Sequence, residues 1–243
     1  VNEKSIMEIW TSIKDEVLEY LKDIEFLSLL AHGSFAEDFA NKTSDFDLLV
    51  VCAENVQERE DVLVINNIEV NIEIFHKKTI EKQIRSLEKL LGPRKLGFKI
   101  PIACRLKHAV ILVDKENNGK NLVEMINRFQ LSKQVMDWYS KCGLNYYYDA
   151  VGTMANGDYA TSVHMARIGA LHVITGILLA QGELYVKKKW FIKLIDKISF
   201  SNKEQFLELM GLCNVDKKQA KQSIQNFKNL ITEFERLREQ NIK

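Results

Sequence analysis

Two hydrophobic patterns share this chain, one strand-rich and mixed, the other wholly helical. Ile6, Ile9, Ile13, Val17 and Leu21 recur at helical spacing and predict an amphipathic helix over 4–22. Compact apolar runs at 26–30 and 46–52 predict buried strands. Runs at 62–65 and 68–75 flank Asn66-Asn67, residues that tolerate positive φ, and predict a hairpin. A helix is expected near 79–91, ending before Gly92-Pro93, then a short strand at 109–113 with Asn117-Asn118-Gly119 marking its exit. Beyond Arg128 there is no proline and helical periodicity takes over, with helices expected near 131–156, 158–181, 187–198, 203–212 and 216–240. In the last of these Ile224, Phe227, Ile231, Phe234 and Leu237 form an inward stripe. The expected architecture is therefore α+β: a catalytic domain over 1–128, with a small mixed sheet flanked by helices, and a helical bundle over 129–243.

Composition narrows the setting. A formal net charge of +1 over 243 residues supplies no general attraction to polyanions, so a nucleic-acid partner is not expected. The four cysteines, Cys52, Cys104, Cys142 and Cys213, lack metal-type spacing, and Cys52 reads as a buried free thiol. No signal-like N-terminus and no long uninterrupted apolar segment is visible, so a reduced, cytoplasmic location without membrane is expected.

The chemistry concentrates in residues 30–51. Gly33-Ser34 ends one apolar run, and Asp45 and Asp47 open the next. Residues i and i+2 of a strand share a face, so both carboxylates can converge on one metal ion. Gly33 permits a tight turn whose N–H groups approach a phosphate, and Ser34 adds a hydroxyl there. These are the parts that hold a magnesium nucleotide. A third acid is expected from the neighbouring strand, where Glu69, Asn71 and Glu73 share one face. Both Glu73 and Glu69 qualify. Ser44 steadies the loop before Asp45 or simply turns it, and Ser34 also reads as a helix N-cap. His32 reads as a packed strand-end histidine.

A Gly-Ser turn followed by Asp-x-Asp on a strand resembles the nucleotidyltransferase superfamily that includes DNA polymerase β. The motifs carrying the resemblance span roughly residues 26 to 76. The resemblance implies Asp45, Asp47 and Glu73 as metal ligands, Mg2+ as cofactor, and a nucleoside triphosphate such as ATP held by Gly33, Ser34 and Ser44. It also places the third acid near its strand's end, which favours Glu73.

Residues 145–170 look like the helix–Gly-Asp-Tyr–helix passage of small antibiotic nucleotidyltransferases, of aminoglycoside and lincosamide kinds. That resemblance implies transfer of a nucleoside monophosphate to a hydroxyl of a small molecule, pyrophosphate release, and a role in antibiotic resistance. In that group an acidic residue of the first helix acts as general base. Its position here falls on Asn145, which cannot serve, so Asp149 one turn on is the substitute. Asp158 is expected to cap the following helix. His164 and Arg167 lie three apart on it, and Lys189-Trp190 matches a basic-aromatic pair implied to touch triphosphate or substrate. The alternatives are nucleotidylation of a protein or RNA acceptor, and an interaction protein of toxin–antitoxin type. The resemblance is also compatible with a homodimer.

Overall fold

The computed structural model describes residues 3–91, 100–198, 202–213 and 216. The chain divides into two compact units, Val1–Ser199 and Phe200–Lys243. The domain division expected at 128/129 falls inside the first unit, in the loop between two helices.

In the first unit, helix α1 (Glu3–Tyr20) buries Ile6, Trp10, Ile13 and Val17 against a five-stranded sheet. The strands are β1 (Phe26–His32), β2 (Phe46–Cys52), β3 (Arg59–Ile65), β4 (Ile68–His76) and β5 (Val110–Asp114), in the order β3-β4-β2-β1-β5. β2 and β4 run parallel, and the other neighbours are antiparallel. A mixed sheet with helices beside it makes the unit α+β. β2 lies at the centre, paired on both sides, and Leu48, Leu49, Val50 and Val51 are fully buried. Continuous apolarity here thus reflects a strand covered on both faces.

The hairpin forms around Asn66 and Asn67, both at positive φ, as their residue types suggested. The helix expected near 79–91 is two, α3 (Lys77–Arg85) and α4 (Leu87–Leu91). The break falls at Ser86, whose Oγ donates to the Lys82 carbonyl and whose backbone closes the turn. Its expected stop at Gly92-Pro93 lies outside the described residues. A short helix α5 (Ile102–Arg105) leads through a 3-10 turn into β5.

Asn118 and Gly119 do not mark a loop; they open helix α6 (Asn118–Asn127), which the sequence pattern did not reveal. Its capping acceptor comes from the preceding strand: Asp114 accepts from the amides of Gly119 (2.8 Å) and Lys120 (3.0 Å). Two long helices follow, α7 (Lys133–Ala155) and α8 (Tyr159–Ala180). Gly143, Gly169 and Gly176 let them approach closely, since a Cβ at any of the three would meet a side chain of the other helix. Asp158 caps α8 as expected, accepting from Thr161 N at 3.1 Å. By length and composition alone α8 is long and apolar enough to cross a membrane, although His164, Arg167 and His172 interrupt its apolar run. A 3-10 turn at 188–190 and α9 (Phe191–Lys197) end the unit's described part.

In the second unit, α10 (Lys203–Leu209) buries Phe206 and stops at a turn containing Gly211 at φ +70°. The helix expected over 216–240 falls outside the described residues, apart from Asp216.

Candidate active site

Asp45 and Asp47 bracket the start of β2, with Phe46 between them fully buried on the opposite face. Strand pairing sets Asp47 beside His32 of β1 on one side and Asn71 of β4 on the other. The Asn71 amide Nδ2 donates to Asp45 Oδ2 (2.5 Å) and Asp47 Oδ1 (3.2 Å). The expected convergence of the two carboxylates is therefore present, with one small group touching both.

Gly33 follows β1 at φ +74°, a conformation that L side chains rarely adopt. A Cβ there would also overlap the Asp47 carboxylate, so glycine is required twice over. The turn continues as α2 (Gly33–Ala36), whose N-cap is His32 and not Ser34. Ser34 lies one position inside, and its buried Oγ has no hydrogen-bond partner. Ser44 serves the preceding loop, where its Oγ accepts from the Asn41 amide at 2.9 Å. A pair of carboxylates with a common focus, a glycine cradle and an orphaned buried hydroxyl suit an oxygen-seeking cation that carries phosphate.

Glu73 lies on the same face of β4, two pairs further along and opposite Leu49. Its Oε2 forms an ion pair with Arg105 and sits 3.2 Å from His32 Nε2. Burial pushes the Glu73 carboxyl up, but His32 and Arg105 together outweigh it and hold the group at about 2. Glu69 is exposed at the other end of the strand. Arg105 is itself mostly buried, and its charge interacts with Asp47 as well as Glu73. Of the two acids weighed for this strand, Glu73 is the one inside the site, and it is held by two basic side chains.

Lys187 reaches the same place from the segment before α9. Its ammonium lies 4.7 Å from the ring centres of both Tyr185 and Trp190. Burial lowers its pKa, Asp47 and Asp45 raise it, and Lys189 and Arg105 lower it further. Lys189 is exposed, 5.4 Å from the Trp190 ring. The structure thus brings Lys187, not the Lys189 singled out from sequence, into the field of the aspartates. Burial also raises the Tyr185 hydroxyl, so it stays a neutral donor.

Behind the Gly33 turn, Glu37, His108 and Glu183 place ligand-type atoms within 4.8 Å of one another. Glu37 is 2% exposed; burial raises its carboxyl, while His108 and Lys197 pull it back. His108 Nε2 lies 3.1 Å from Glu183, and Lys197 Nζ donates to the Glu37 carbonyl at 2.7 Å. Lys197 holds Glu37 and His108 meets Glu183, so this cluster ties the turn to later segments as a clasp.

On the helical side Asp149 is exposed on α7, and no contact joins it to the aspartates among the described residues. Tyr146 stacks on His172 with ring centres 5.4 Å apart, while Tyr147 and Tyr148 are exposed. His164 and Arg167 are both exposed on α8. Sequence reasoning missed Arg105, and it took Lys187 only as part of the Lys187–Lys189 run, from which it picked Lys189. Arg105 carries no local signal, and within the lysine run nothing in the sequence marks which side chain turns inward.

Residues 12–115, which carry all five strands, match a family model described as a nucleotidyltransferase domain. Among solved structures, a nucleotidyltransferase-like protein from Exiguobacterium sibiricum 255-15 is similar at 15% identity. The match covers 84% of this chain and 73% of that one, with a TM-score of 0.45. No curated protein matches the chain.

Proposed function

We propose that this chain transfers a nucleoside monophosphate from a nucleoside triphosphate to a hydroxyl of a small molecule, releasing pyrophosphate. The observation that carries the reading is the convergence of Asp45 and Asp47 on a single point, directly against the Gly33 turn. The match of residues 12–115 to a nucleotidyltransferase domain supports it.

In this reading the Gly33 turn and the spare Ser34 hydroxyl receive the triphosphate tail. Lys187 balances its charge from the other side, at a site where partial burial strengthens the attraction. Asp45 and Asp47 hold Mg2+, which when bound orients the triphosphate and stabilises charge at the α-phosphate. The acceptor oxygen forms its bond to that phosphorus as the bond to the bridging oxygen breaks and pyrophosphate leaves. A carboxylate takes the hydroxyl proton, and Asp149 is the candidate on α7. The acceptor we favour is an antibiotic of aminoglycoside or lincosamide type, on the resemblance of residues 145–170 to those enzymes.

The test is pyrophosphate release with Mg2+ and each of the four common nucleoside triphosphates, against a panel of both antibiotic classes. Mass spectrometry reads the product. Acceptor-dependent release with a matching mass gain, absent from the Asp45→Asn/Asp47→Asn double variant, is the expected result. Full activity in that double variant would end the reading.

A further inference from the structure

Resting on the nucleotidyl-transfer reading, we infer that Asn71 is the third protein ligand of the cation, through its side-chain carbonyl oxygen, and that Glu73 is not a ligand. Asn71 is paired with Asp47 in the sheet register, and its amide already touches one oxygen of each aspartate. An asparagine side chain carries an acceptor oxygen and a donor nitrogen on the same carbon. Half a turn of the amide exchanges Nδ2 for Oδ1 at that focus. Without a cation, the donor face neutralises the facing carboxylates. With one, the acceptor face completes a set of three oxygens. Magnesium accepts such a mixture of carboxylate and carbonyl oxygen, and fills its remaining positions with water and phosphate.

Glu73 is otherwise engaged. It sits two pairs along β4 from Asn71, and its Oε2 is shared by Arg105 and His32. Recruiting it would strip two buried basic groups of their partner. The ligand set is therefore two carboxylates and one amide, with two formal negative charges instead of three. Arg105 and Lys187 weaken the local negative field further. This site binds its cation loosely by itself and tightly only with the triphosphate, which brings oxygens and charge of its own.

The experiment titrates Mn2+ alone into the full chain, read by electron paramagnetic resonance. Asn71→Ala is expected to weaken Mn2+ by about tenfold or more, and Asn71→Asp to bind at least as tightly as wild type. Glu73→Gln is expected to weaken Mn2+ less than Asn71→Ala does, since it removes a neighbouring charge and no ligand atom. A direct readout needs no substitution: with asparagine isotopically labelled at the side-chain carbonyl carbon, electron–nuclear double resonance shows that carbon coupled to the bound Mn2+. Asn71→Asp abolishes this coupling while retaining the ion. Unchanged affinity in Asn71→Ala, or no carbon coupling in the labelled protein, overturns the assignment and leaves the transfer reading standing. No Mn2+ binding by wild type, with or without a triphosphate, overturns both.

Discussion

Glu73→Gln probes the buried charge cluster beside the aspartates. The substitution keeps the side chain's shape and removes its charge, leaving Arg105 mostly buried without its main counter-ion. Holding the carboxyl at about 2 instead of its ordinary 4.5 favours the ionised folded state by about 3 kcal/mol. Loss of one partner of a buried pair costs roughly 3–5 kcal/mol, so both routes give the same size of effect. The folded-state pKa is depressed, so the stabilisation is complete above pH 4.5 and disappears as pH falls toward about 2. Urea unfolding followed by tryptophan fluorescence, from pH 7 down to about 3, measures this. Wild type should exceed Glu73→Gln by about 3 kcal/mol at pH 7, with the gap narrowing as acid is added. A gap under about 1 kcal/mol at pH 7, or one that widens in acid, would refute the assignment of Glu73 to Arg105 and His32.

Four further substitutions test separate parts of the site. Gly33→Ala forces an L residue to φ +74° and pushes on Asp47; it should lose about 1–2 kcal/mol of stability and most activity, checked by thermal melts and turnover. Lys187→Gln should raise the KM for triphosphate by about tenfold with little change in unfolding, and Lys189→Gln should leave it nearly unchanged. Asp149→Asn should lower kcat with triphosphate affinity unaltered, measured by single-turnover kinetics and nucleotide titration; equal kcat would remove it as base.

Strands β1 and β2 and the β3–β4 hairpin are legible in the sequence because burial and turn chemistry there are local properties. Val50 and Val51 fill both faces of a central strand, and Asn66 and Asn67 adopt the positive φ their side chains tolerate. Helix α6 is illegible because its cap, Asp114, stands outside the turn that reads as a loop. Asp45 and Asp47 could be paired from their spacing alone. Glu73 could be placed on their face, but its engagement by Arg105 and His32 could not be read. Arg105 comes from a short helix and Lys187 from beyond α8, so only the folded chain joins them to the aspartates.

The clasp behind the Gly33 turn has a consequence for the order in which this protein is made. Glu37 emerges from the ribosome early, yet Lys197, which holds its carbonyl and neutralises its carboxylate, follows 160 residues later. Lys193, which donates to the Phe39 carbonyl at 3.1 Å, comes equally late. The sheet can assemble as soon as β5 is synthesised, but Glu37 then has to be buried without its lysine or stay in water. The nascent strand-bearing half therefore waits with its Gly33 turn unfastened. Fastening comes only when α9, the last described helix of the unit, closes over residues translated 154 to 160 positions earlier.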